Sequence, residues 1–184
     1  MPYDKQGRFV SMGDAIDAWA PIAMVLLKDT AKRYNAVVTY KQLGEVVQSQ
    51  SGVSHNGLLT NWIGSLLGRV IELCTEEQIP QLGALCVKED GTVGDGYRHA
   101  AIASGGSSGM DLDELDDHAA MTRLECYRYF GANLPPGGGE PVLTPRARAA
   151  RERKVREARK HEPPKLCPTC FTVLPVTGVC DGCT

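Results

Sequence analysis

Residues 58–74, Leu58-Leu59-Thr60-Asn61-Trp62-Ile63-Gly64-Ser65-Leu66-Leu67-Gly68-Arg69-Val70-Ile71-Glu72-Leu73-Cys74, carry the most regular pattern in the chain. Leu58, Leu59, Trp62, Ile63, Leu66, Leu67, Val70, Ile71 and Cys74 recur at steps of three and four, the spacing that lines up side chains on one face of an α-helix. The stretch predicts one long helix. Gly64 and Gly68 fall within it one turn apart. Each costs about 1 kcal/mol of helix propensity against Ala, so both are expected where a neighbour packs closely.

On the N-terminal side, Val37-Val38 reads as a short extended piece. Thr39 with Gln42 three residues later is a capping box opening a helix whose inner face is Tyr40, Leu43, Val46 and Val47. Ser49 to Gly57 is a polar turn region. Further upstream, Ser11 and Asp14 open a core helix along Ile16, Trp19, Ala23, Leu26, Leu27, Thr30 and Tyr34, with Pro21 a kink or the start of a second helix. On the C-terminal side, Leu82 to Val87 reads as a strand, Glu89-Asp90-Gly91 as a hairpin turn, and Gly94-Asp95-Gly96-Tyr97 closes the unit. Helix, short strand, helix, turn, long helix and hairpin is the element order of a winged helix-turn-helix. The expected fold class is therefore α+β, a mainly helical winged helix-turn-helix-like domain with a small hairpin.

The chain has 184 residues, room for one domain and an appendage but not for two catalytic domains. That domain is expected over 1–132. Within it, Ser104 to Gly109 reads as a flexible connector and Asp111 to Phe130 as a helix opened by Asp111, Asp113, Glu114, Asp116 and Asp117. Residues 133–145, with Pro135-Pro136 and three successive glycines, read as a linker. The longest apolar run near the N-terminus, Pro21 to Leu27, is far below the ~18–20 residues of a membrane span, so a cytoplasmic protein without a membrane partner is expected.

Charge divides the chain sharply. Residues 1–145 hold 11 Lys+Arg against 18 Asp+Glu, net −7, whereas residues 146–165 hold 9 against 3, net +6. The basic stretch, expected as a helix over 146–162, offers Arg146, Arg148, Arg151, Arg153, Lys154, Arg156, Arg159 and Lys160. Its only sizeable apolar residue is Val155, so it has no core face: it is a solvated charged segment or it binds phosphates with little sequence preference.

Residues 163–184 contain Cys167-Pro-Thr-Cys170, nine residues, then Cys180-Asp-Gly-Cys183. Four thiolates from two CxxC knuckles, joined by a short hairpin with Pro175 and Gly178 near its bend, match the tetrahedral preference of zinc. A zinc ribbon with one structural Zn2+ per chain is expected, held by Cys167, Cys170, Cys180 and Cys183. The alternatives are two disulfides or a redox pair, which a cytoplasmic setting and the lack of a thioredoxin-like pattern disfavour.

Val38-Thr39-Tyr40-Lys41-Gln42-Leu43-Gly44, Ile63-Gly64, the 82–87 segment, Asp90-Gly91 and Gly96-Tyr97 together resemble the winged-helix domain of alkylguanine-DNA alkyltransferases and their alkyltransferase-like relatives, over residues 37–97. The resemblance implies that Tyr40 contacts the DNA backbone beside an extruded nucleotide; otherwise Tyr40 is a core residue of its helix. Two departures limit it. The reactive Cys of that family falls on Gly83, followed by Ala84 where the His would stand, and the intercalating Arg falls on Asn61. What remains is a scaffold for binding nucleic acid or protein. The polar face of the long helix offers His55, Asn56, Asn61, Ser65 and Arg69, a single fixed cation in an acidic region, so this domain alone is expected to bind DNA weakly.

Cys74, Cys86 and Cys126 lie in apolar surroundings, where a thiol is normally inert. His55, His99, His118 and His161 are dispersed, and no metalloprotease, nucleophile-elbow or phosphate-loop motif is present. No enzyme is expected, an unrecognised one using Cys86 or Cys74 being a distant third reading. The leading expectation is a non-enzymatic nucleic-acid-associated regulator or adaptor, with DNA ahead of RNA as partner and Tyr40, Asn61, Arg69 and the basic helix as contacts. The alternative is a protein-interaction module, such as an inhibitor or accessory subunit of a nucleic-acid-processing enzyme.

Overall fold

A computed structural model describes residues 1–160, 166–174, 178, 180, 182 and 183, with Lys160 as backbone only. The fold is α+β and mainly helical. Two compact units divide it, Met1–Ala147 and Arg148–Thr184.

In the first unit, α1 spans Met12–Ala31, and the Ser11 hydroxyl accepts from the Asp14 amide at 3.1 Å. Pro21 lies inside this helix, which runs on past it, so no second helix begins there. Ala15, Trp19, Ala23 and Leu27, one turn apart, are fully buried and form its inner face. The short strand β2, Val38–Thr39, leads into α2, Tyr40–Ser51. The capping box is complete: Gln42 N–H donates to Thr39 Oγ1 at 3.2 Å and Thr39 N–H to Gln42 Oε1 at 2.9 Å. Gly52, at φ 72°, ends α2 in the left-handed conformation that glycine adopts without a Cβ penalty. After this cap, β3, Ser54–His55, pairs antiparallel with the N-terminal β1, Pro2–Tyr3, a long-range pairing that no local pattern announces.

The 58–74 stripe is not one helix. Leu59–Asn61 is a short 3-10 helix, Trp62 breaks the run with φ −137° and ψ −21°, and α3 spans Ile63–Glu76. The break turns the Trp62 ring into the core, 4.6 Å from Trp19 between centroids, and leaves Leu58 73% exposed. A 3-10 turn keeps the i,i+3 spacing, so the apolar pattern runs through the break unaltered. The expectation for the α3 glycines is also corrected. A Cβ at Gly64 or at Gly68 would meet no atom within 4 Å, so neither admits a close neighbour. Gly68→Ala should therefore stabilise the domain, by up to about 1 kcal/mol, because helix propensity improves with nothing to clash. A lowered urea midpoint would contradict this.

The expected strand at 82–87 is instead a buried 3-10 helix, Leu82–Leu85, followed by a two-residue strand β4, Cys86–Val87. A short apolar run buried on all sides fits either structure. β4 pairs parallel with β2, Val38 opposite Cys86 and Thr39 opposite Val87. The turn over 88–92 forms, with Gly91 at φ 81° and Lys88 N–H donating to the Thr92 carbonyl at 2.8 Å. No return strand follows it among the described residues. The amides that would make one are used elsewhere: Val93 N–H donates to the buried Asp116 carboxylate at 2.8 Å and Gly94 N–H to the Tyr40 hydroxyl at 3.0 Å. The expected hairpin is thus a turn only.

Two further helices complete the unit. α4, Tyr97–Ala103, was not signalled by the sequence pattern; α5, Leu112–Tyr129, was, and opens with a second capping box between Asp111 and Glu114. The connector between them is tied down, since Arg98 Nη1 donates to the carbonyls of Ser108 and Met110 at 3.0 and 2.6 Å. The stretch expected as a linker, 133–145, is likewise fastened to the domain. Tyr34 exchanges hydrogen bonds with Glu140, the buried Arg123 donates to Val142 O, and Thr144 Oγ1 donates to Gly91 O at 2.7 Å. Here α6, Pro145–Lys160, begins: Thr144 Oγ1 accepts from Ala147 N–H, Ala147 is buried, and the boundary between the two units falls just after it. Among the described residues no helix is long and apolar enough to cross a membrane.

Candidate metal centre and nucleic-acid interface

The second unit gathers four cysteines. Leu166 and Val173 form an antiparallel bridge, Cys167 N–H donates to Thr172 O at 2.8 Å, and Phe171 N–H donates back to Cys167 O at 2.9 Å. This tight knuckle, with Phe171 at φ 57°, carries the Cys167 and Cys170 sulfurs toward the second cysteine pair. Cys180 and Cys183 arrive from the second knuckle, closed by Cys183 N–H to Cys180 O at 3.4 Å. All four sulfurs lie within 4.8 Å of one another. Cys167 Sγ is 3.8 Å from Cys183 Sγ, and Cys170 Sγ is 3.4 Å from Cys180 Sγ. A tetrahedron with metal–sulfur bonds of about 2.3 Å has edges near 3.8 Å, whereas a disulfide closes to about 2.05 Å. The spacing fits ligation of one metal ion, and the cysteines are free. The expected ribbon bend at Pro175, residue Val179 and the segment 163–165 lie outside the described residues.

Proton affinity differs among Cys167, Cys170 and Cys183. Backbone amides of Cys170 and Thr169 lower that of Cys167. The hydroxyl and then the amide of Thr172 bring Cys170 down to about 6. Cys183 is pushed up to about 11, first by its hydrogen bond to Cys170. Amides aimed at sulfur favour the thiolate, and neighbouring thiolates disfavour a further one. A cation held by the four sulfurs would stabilise their thiolate forms.

α6 supplies the cationic surface. Arg148, Arg153, Lys154, Arg156 and Arg159 are exposed, Arg151 is half-buried, and Val155 is 47% exposed, so beyond the buried Ala147 at its start the helix presents mainly charge. At 100° per residue, Arg148, Arg156 and Arg159 fall within an arc of roughly 80°, with Glu152 among them. Arg146 differs: it belongs to the first unit, where its guanidinium donates to Glu89 O and faces the Glu89 carboxylate at 3.9 Å. The Lys160 side chain and residues 161–162 lie outside the described residues.

The three candidates on the acidic domain sit in different elements, Tyr40 in α2, Asn61 in the 3-10 helix and Arg69 in α3. Arg69 is held by Glu72 at 2.9 Å and Glu76 at 3.2 Å, so the one fixed cation expected on the long helix is compensated on its own helix. Asn61 is exposed at the end of the 3-10 helix, outside α3, and His55 lies in β3. Tyr40 is half-buried and packs against the hydrophobic core. Its hydroxyl, accepting from Gly94 N–H, lines a cavity of about 400 Å³ with Gly64, Gly83 and Tyr97. Burial pushes its pKa up to about 12, so the phenol keeps its proton at neutral pH. Motif reading singled out Gly64 and Gly94-Asp95-Gly96-Tyr97 but not the cavity they form, because their meeting is a long-range contact.

Cys74, Cys86 and Cys126 are buried, and desolvation raises the pKa of each thiol, the opposite of what a nucleophile needs. Comparison with protein families, with characterised proteins and with solved structures finds no match for the chain. The likeness of residues 37–97 to the alkyltransferase domain therefore rests on its short motifs alone.

Proposed function

We propose that the chain is a non-enzymatic nucleic-acid-associated regulator or adaptor, in which α6 binds phosphates and a structural Zn2+ held by Cys167, Cys170, Cys180 and Cys183 shapes the unit that follows. The observation that carries this reading is the exposure of Arg148, Arg153, Arg156 and Arg159 on a helix whose one large apolar residue, Val155, is also exposed, in the same compact unit as the cysteine cluster. Zinc is the natural occupant because it favours four thiolates in a tetrahedron and leaves no position open for chemistry. The raised thiols of the acidic domain support a role in binding over turnover. In the winged-helix version of this reading, α1, α2 and α3 supply the helical scaffold and the 88–92 turn stands in for the wing. A cytoplasmic setting goes with free cysteines.

A second reading, a protein-interaction module, is favoured by the exposed apolar residues of the knuckle: Leu166 at 51%, Phe171 at 73% and Val173 at 61%. One experiment separates the two. The full chain should retard a labelled DNA duplex at about 50 mM salt, where phosphate contacts are strong, and partners captured from extract should be lost on nuclease treatment. Partners that survive nuclease, with no retardation of the duplex, would transfer the function to protein binding.

A further inference from the structure

The cavity beside Tyr40 lies wholly in the first compact unit and draws on neither α6 nor the cysteine cluster. Its apolar walls are Ile63, Leu67 and Ile71 of α3 with Tyr97 and Ala100 of α4. Glycine backbone at 64, 83, 94 and 96 makes another part of the wall. A Cβ built at Gly64, Gly83 or Gly96 would meet no atom within 4 Å, and none of the three has the positive φ that calls for glycine. The room in front of these residues is thus left open by the sequence and filled by no neighbour. Bare backbone beside aliphatic and aromatic side chains admits the close approach of a flat ring.

The polar groups at this cavity select among flat ligands. Tyr40 accepts from Gly94 N–H and still has its own proton to donate. Lys88 lies 3.5 Å from the Asp90 carboxylate. Asp95 is exposed and has no ion-pair partner among the described residues, within a region of net −7. The uncompensated charge is therefore negative.

We infer that this cavity binds a small aromatic amine, its ring between the glycine backbone and the apolar side chains and its protonated nitrogen toward Asp95. The rings of Tyr40 and Tyr97 add attraction for a cation. Carboxylate- or phosphate-bearing aromatics are repelled by the same field, which sets this ligand apart from a nucleotide.

The test titrates the full chain with tryptamine, indole and indole-3-acetate, followed by ligand-observed NMR. Tryptamine should bind, indole roughly tenfold more weakly for want of the charge-assisted contact, and indole-3-acetate more weakly again. Asp95→Asn should bring tryptamine down to the level of indole. Gly64→Leu and Gly83→Val, each filling the cavity, should abolish tryptamine binding while the urea midpoint holds or rises. Asp95→Asn alters an exposed side chain, so it tests the charge recognition even where a filling variant loses stability. No binding of tryptamine at millimolar concentration, an unchanged tryptamine-to-indole ratio in Asp95→Asn, or full binding in a folded filling variant would overturn the proposal.

Discussion

Chelation of the full chain should remove one zinc ion and melt residues 166–184, while the first unit keeps its fold. The four sulfurs are brought within 4.8 Å by knuckles of only a few hydrogen bonds, and the ligand-bearing stretch has little apolar surface to bury among its described residues, Leu166, Phe171 and Val173 all being exposed. Structural zinc supplies about 10–16 kcal/mol in comparably small sites, which is folding energy that such a stretch has no other source for. Both tryptophans, Trp19 and Trp62, are buried against each other in the first unit. Their fluorescence should stay constant while hydrogen exchange over 166–184 rises to the unfolded rate. Cys170→Ser should reproduce the chelated state. Metal content below one ion per chain in native mass spectrometry, or Cys167–Cys170 disulfides in reduced material, would contradict the site.

The second large effect is expected at Arg123. This guanidinium is 4% exposed and donates to Ala84 O and to Val142 O, both at 3.2 Å. Asp116, buried nearby on the same helix, contributes its negative charge. Arg123→Met removes the cation and leaves the two carbonyls unpaired, which should cost about 1–3 kcal/mol for each. It should also release residues 133–144 to protease. A loss below about 1 kcal/mol in urea unfolding would show that this segment is not held as described.

Features set by near neighbours in sequence were legible. Ser11 and Thr39 each announced a helix start, because a cap needs only its own side chain and an amide three residues on, and the acidic run from Asp111 announced α5 by its charge. The two CxxC pairs announced a metal site for the same reason, and the run of Arg and Lys announced α6. Long-range features were not legible. Trp62 leaves the helical pattern because Trp19, 43 positions earlier, offers it a ring to pack on, and β1 pairs with β3 across more than 50 residues. The expected hairpin lost its second strand to side chains of distant helices, Asp116 and Tyr40, which take the amides of Val93 and Gly94. Arg123 and Asp116 carry full charges into the interior, against the rule by which polar residues are assigned to the surface, because each finds backbone partners there.

The claim that α6 is the phosphate-binding element is tested most directly by a salt titration of duplex binding. Wild type is compared with a variant in which Arg148, Arg153, Arg156 and Arg159 are all replaced by Gln. Each phosphate contact contributes about 0.9 to the slope of log affinity against log salt, so the fourfold variant should flatten that slope by up to about 3.6 and lose most of its affinity at low salt. Binding with the wild-type slope in the variant, or no binding by wild type at the lowest salt, would contradict the account.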